Sequence, residues 1–132
     1  MARYEHETRV GNYVVRDAGI EFASPTPDLT LADVARYEQR AASTVLRDAR
    51  DVDGAVLRFA RRAMGLRQKE LAELLEVTES TVSKWENGEE PFRRTTQLAI
   101  AAIVEQVEAF GVDHVKRRLM NRAPAKRVLR AS

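Results

Sequence analysis

The chain has 132 residues, 44% hydrophobic and 32% charged, the usage of one globular domain with a small appendage and not of a disordered chain. Zero cysteines exclude a disulfide scaffold, a thiolate nucleophile and a cysteine-ligated metal centre, and two histidines, His6 and His114, leave little for a histidine metal site. The net charge of +2 splits into −3 over residues 1–53 and +5 over residues 54–132, which points to two surfaces with different partners.

The first thirty residues do not read as helix. Arg9-Val10-Gly11-Asn12-Tyr13-Val14-Val15 carries β-branched and aromatic residues and predicts a strand. Asp17-Ala18-Gly19 predicts a turn and Ile20-Glu21-Phe22 a second short strand, ended by Ser24-Pro25-Thr26-Pro27. Two short strands are marginal alone, so this piece must pack on something else. Thr30 then caps a helix that runs to about Asp48, with Leu31, Val34, Ala35, Ala41, Ala42, Val45 and Leu46 on its apolar face.

Asp53 caps the next helix, about Gly54–Met64, which Gly65 ends. Further helices are expected over about Gln68–Leu75, Glu79–Asn87 and Thr95–Phe110, with Glu89-Glu90-Pro91 as a break. A last short helix over Val112–Asn121 precedes a frayed basic tail, Ala123–Ser132. The expected organisation is a β-containing element over 1–29, a linking helix over 30–52, a helical domain over 53–111 and a helix with a tail over 112–132.

Two short helices separated by about three residues are too close for an ordinary antiparallel hairpin. Leu71, Ala72 and Leu75 form the inner face of the first, and Val82 and Trp85 that of the second. Ala72 sits where the helices cross, because a small side chain lets their backbones approach. Val77 plugs the elbow and the Thr78 hydroxyl caps the second helix. This spacing predicts a helix-turn-helix that presents Glu79, Ser80, Thr81, Ser83, Lys84 and Asn87 outward. Such a helix fits the major groove of B-DNA. Lys84 can reach a guanine edge, Ser80 and Ser83 can serve several bases, and Glu79 near phosphates costs affinity unless it accepts from a cytosine amine. Gln68 is placed for a phosphate, together with backbone N–H groups of its helix start.

The run Arg58-Phe59-Ala60-Arg61-Arg62-Ala63-Met64-Gly65-Leu66-Arg67-Gln68-Lys69-Glu70-Leu71-Ala72, followed by Thr81-Val82-Ser83-Lys84-Trp85-Glu86-Asn87-Gly88, resembles the Cro/C1-type (XRE) helix-turn-helix family. The longer context is more similar still to the MqsA-like antitoxins. The residues that carry this are Gly11-Asn12-Tyr13-Val14-Val15, the helix before Asp53, and Pro91-Phe92-Arg93-Arg94 with Gln97-Leu98-Ala99. The resemblance implies a mainly α fold, a five-helix domain with a small β-containing N-terminal element. It implies base readout by Ser80 and Lys84, joined here by Glu79 and Ser83, and phosphate contacts by Gln68, Asn87 and Arg93 or Arg94, joined here by Thr81. It also implies a homodimer on double-stranded DNA and a repressor of antitoxin or phage type. The zinc-binding cysteines of the MqsA-like N-terminus are absent, so that element must be metal-free and held by its own packing. Family members carry glycine where Glu76 stands, which implies a left-handed backbone there.

Trp85, at helical spacing from Val82, reads as core and not as a base-stacking residue. The Lys116-Arg117-Arg118 cluster and the tail read as solvated charge. Two dimer faces are open, the apolar excess of the Thr95–Phe110 helix and the linking helix. The alternative function is a protein-interaction module that neutralises a partner toxin through the acidic N-terminal half. No phosphate loop, nucleophile elbow or His-Glu-x-x-His motif points to an enzyme, and no cofactor is expected. No apolar run approaches the roughly 20 residues of a membrane span and no signal peptide opens the chain, so a cytoplasmic, nucleoid-associated protein is expected.

Overall fold

In the computed structural model, which describes residues 7–16 and 31–120, a β-hairpin packs beside six helices. Strands β1 (Glu7–Val10) and β2 (Tyr13–Arg16) are antiparallel, with Glu7 opposite Arg16 and Val10 opposite Tyr13. The stretch read as one strand is thus two, and Gly11-Asn12 is the turn between them. Gly11 has φ +59° and Asn12 is not among the positive-φ residues, the pattern of a type II′ turn, whose twist matches that of the flanking strands. The turn expected at 17–19, the strand at 20–22, the Thr30 cap and the tail lie outside the described residues.

The hairpin is anchored, not free. Val10 is fully buried in the helical core. A Cβ on Gly11 would stand 2.6 Å from Val56 Cγ2, so only glycine lets the turn come this close. Tyr13 donates its hydroxyl to Asp51 O at 2.5 Å, and Asn12 Nδ2 donates to Asp53 Oδ2 at 3.3 Å.

The helices are α1 (Leu31–Asp48), α2 (Gly54–Met64), α3 (Gln68–Leu75), α4 (Glu79–Glu86), α5 (Arg94–Phe110) and α6 (Val112–Met120). Asp53 caps α2 by accepting from Val56 N at 3.2 Å, and Gly65 ends it at φ +73°. Helices α1 and α5 lie side by side in opposite senses. Gln97, near the start of α5, donates to Leu46 O and Ala49 O at the end of α1, both at 2.7 Å, while Arg40 reaches Glu108 near the end of α5 at 2.8 Å.

Leu46, Leu57, Met64, Leu71, Ile100 and Val104 are fully or almost fully buried in one core that joins the hairpin, α1 and the helices from α2 to α6. The apolar face of α1 is shorter than its sequence pattern: Leu31 is 90% exposed and Val34 is exposed too, because both precede Tyr37, the first buried residue of the helix. Helix α5 turns Ile100, Ala101, Val104 and Val107 inward but leaves Leu98 and Phe110 exposed. Among the described residues no helix is long and apolar enough to cross a membrane.

Candidate nucleic-acid interface

The interface is assembled from the turn between α3 and α4. At the start of α3, Arg67 donates its backbone N–H to Glu70 Oε1 at 2.9 Å, closing the first turn. Leu71 and Ala72 are buried, as are Val82 and Trp85, so the two helices share the inner faces that the spacing predicts. Between them Glu76 has φ 58° and ψ 42°, the left-handed conformation, at a cost of about 1–2 kcal/mol for a residue with a Cβ. Surrounding bonds hold it there: its own N–H reaches Glu73 O at 3.3 Å, and Val77 N reaches Ala72 O at 3.0 Å. Thr78 Oγ1 then accepts from Thr81 N at 3.1 Å and caps α4.

Helix α4 is fixed from behind by α2. A Cβ on Gly54 would lie 2.2 Å from Trp85 O and 2.5 Å from Glu86 O, so the start of α2 abuts the end of α4 with no room for a side chain. Phe92 tilts against Trp85 with ring centroids 6.0 Å apart, which seats the following loop. Trp85 is 8% exposed and is core.

Buried beside Trp85 is a carboxylate that sequence reasoning passed over. Glu86 accepts from Arg61 Nε at 2.7 Å and Arg61 Nη2 at 2.9 Å, from Gln68 Nε2 at 3.3 Å and from Arg58 Nε at 3.4 Å. Burial alone pushes its carboxyl up, but the bonds from Arg61, Gln68 and Arg58 and the Arg61 charge prevail and hold it below the usual 4.5. The signal was present in the sequence: Glu86 lies four residues after Val82, on the inner face of α4, opposite an i, i+3 pair of arginines on α2. Glu70 is neutralised likewise. Burial raises its carboxyl, while the Arg67 N–H, Lys116 and the Arg67 side chain bring it below 4.5 overall. Lys116, read as solvated, thereby ties α6 to α3 at 3.3 Å from Glu70 Oε2.

The structure sorts the candidate contact residues into two groups. Glu79, Ser80 and Lys84 are exposed on the outer side of α4, and among the described residues their side chains have no hydrogen-bond or ion-pair partner. Arg93, the N-cap residue of α5, is exposed in the same way. The others are tied inward. Gln68 is half-buried on Glu86, and Asn87 accepts from Arg58 Nη2 at 3.0 Å while its Nδ2 donates to Ser83 Oγ at 3.4 Å. Ser83, accepting that bond, keeps its hydroxyl hydrogen to donate outward. Thr81 shares a 2.8 Å hydroxyl contact with Thr78. Arg94 spends its fork on the end of α1, donating to Ala49 O at 2.6 Å and Arg47 O at 2.8 Å.

The charge of this face limits what it can do. Glu73, Glu76, Glu79, Glu89 and Glu90 are exposed around α4, against Lys69, Lys84, Arg67 and Arg93, so the face is close to neutral. Bulk attraction to phosphate therefore contributes little here, and affinity must come from placed contacts and from Arg67, Arg93 and the flanking arginines.

Residues 54–120, half of the chain, match the helix-turn-helix domain family, and the chain belongs to that family. No curated protein and no solved structure matches it. Membership supports DNA binding.

Proposed function

We propose that the protein is a sequence-specific regulator that binds double-stranded DNA, acting as a homodimeric autorepressor of antitoxin or phage-repressor type. The observation that carries this reading is α4 itself: capped by Thr78, rigidly backed by Val82, Trp85 and Gly54, and outwardly polar. Lys84 donates to a guanine edge, Ser80 and Ser83 read neighbouring positions, and Glu79 accepts from a base amine. Gln68, Thr81, Asn87 and Arg93 hold phosphates. Arg58, 41% exposed and bonded to Asn87, joins them. Glu86 orients this set by gripping Arg58 and Gln68 at once.

Two-fold pairing through α5 favours the dimer, since Leu98, Ala99, Ala102 and Phe110 remain exposed on that helix. The linking helix is less suited, because its exposed apolar residues, Leu31 and Val34, are confined to its first turn and arginines Arg36, Arg40 and Arg47 are exposed along the rest. A dimer would set two α4 helices about 34 Å apart, one turn of DNA. Fluorescence anisotropy on the duplex upstream of the gene, against a scrambled duplex at two salt concentrations, tests the reading. Preference for the upstream duplex that survives the higher salt supports an autorepressor. Equal, salt-sensitive binding to both overturns it.

A further inference from the structure

Three parts of the chain meet beyond the helix-turn-helix: the hairpin turn, the end of α1 and the start of α5. They line one concavity of about 350 Å³ with Asn12, Arg50, Asp51, Phe92, Arg94 and Gln97. Asn12 bonds Asp53 and Phe92 packs on Trp85, and two more of these side chains tie helices together. Arg94 and Gln97 donate to the last carbonyls of α1, at Leu46, Arg47 and Ala49, and so bolt the end of that helix to the first turns of α5.

Arg50 comes next in the chain and is treated differently. It is exposed, and among the described residues its guanidinium has no partner, so its five N–H donors are unspent. It stands in the same concavity as the start of α5, where Arg93 is exposed and α5 opens its positive end. The start of α2 lies beside it too, but its positive end is already met by the capping carboxylate of Asp53. Asp53, bonded to Val56 N and Asn12, keeps its negative charge and lines the concavity with Asp51, so two carboxylates stand on the inner side of Arg50 and a phosphate can meet only its solvent side.

We infer that Arg50 binds a phosphodiester of the DNA backbone outside the helix-turn-helix, and that the linking helix is bolted to α5 to hold it there. This rests on the DNA-binding reading and extends the contacted backbone past Arg93 towards the hairpin. Arg50 is the contact residue and Arg94 the positioning residue. A guanidinium suits the task because it matches phosphate oxygens with paired N–H groups and stays charged. The contact carries no base information, so it adds affinity to every sequence alike.

The test uses the full chain and the tightest duplex recovered from a random library, extended by ten or so base pairs on each side. Binding is measured from 50 to 200 mM salt for wild type, Arg50→Ala, Arg50→Lys and Arg36→Ala. Arg36 is an exposed arginine of α1 without a partner among the described residues, but at the opposite end of the helix. Loss of one phosphate contact lowers the salt slope by about 0.9, so the deficit of Arg50→Ala should shrink about threefold across that range. Its base preference should stay that of wild type, Arg50→Lys should keep the slope, and Arg36→Ala should match wild type throughout. A wild-type slope and affinity in Arg50→Ala would overturn the inference while leaving DNA binding intact, as would an equal deficit in Arg36→Ala. A wild type that enriches no duplex would overturn the DNA-binding reading and this inference with it.

Discussion

Replacing Glu86 by Gln keeps the shape of a fully buried side chain and removes its charge. The carboxylate accepts two short bonds from Arg61 and longer ones from Gln68 and Arg58. Breaking a buried pair by removing one partner costs about 3–5 kcal/mol. The side chain of Arg61 is 13% exposed and that of Arg58 41%, so water can partly take over Arg58, and the lower end, about 3 kcal/mol, is expected. Against a total stability of about 5–15 kcal/mol, this is a large fraction. Trp85, the single tryptophan, is the adjacent residue, so its fluorescence in a urea titration reports the change. With a slope of about 1.5 kcal/mol per molar, the midpoint should fall by about 2 M.

The effect has a pH signature. Because the folded state holds Glu86 below 4.5, its contribution is complete above the unfolded value and is lost as the pH falls through the folded one. The stability gap between wild type and Glu86→Gln should therefore be constant near neutrality and narrow as the pH falls through the folded value. A double replacement, Arg61→Met with Glu86→Leu, should recover much of the loss, since apolar side chains of similar size need no partner. A loss below about 1 kcal/mol in Glu86→Gln at pH 7, or a gap that does not narrow in acid, would mean that the buried carboxylate does not hold its arginines as an ion pair.

Gly54→Ala places a methyl group into Trp85 O and should destabilise the fold by about 1–3 kcal/mol or more, read in the same urea titration. Glu76→Gly relieves the left-handed strain and should raise stability by about 0.5–1 kcal/mol, with the thermal midpoint moving up by a few degrees. Thr78→Ala removes the cap of α4 and should cost about 1 kcal/mol, seen as faster amide exchange at Thr81.

The helices were legible because their signals are local. Asp53, Gly65, Thr78 and the apolar spacing of Val82 and Trp85 state where each element begins, ends and faces. The left-handed Glu76 was legible from the family resemblance, which places glycine at that position. The hairpin was read as one strand because Gly-Asn flanked by β-branched residues also fits a strand, and only docking against Val56 and Asp53 selects the turn. The outer end of α1 misled for a related reason: Leu31 and Val34 fit the helical period, but periodicity does not say how far the neighbouring helices reach. Glu86 escaped because a carboxylate reads as solvated until its arginines, about 25 residues away in sequence, are brought to it. The division of the candidate contacts into exposed and internally bonded residues has the same origin, since Gln68, Asn87 and Arg94 find their partners across the fold.

Site selection from a random duplex library with wild type and Lys84→Ala decides whether α4 reads bases. Wild type should enrich a defined motif, and the variant the same motif with relaxed preference at one base pair and a loss of about 1–3 kcal/mol on the wild-type site. An unchanged motif at full strength in the variant would contradict base readout by α4.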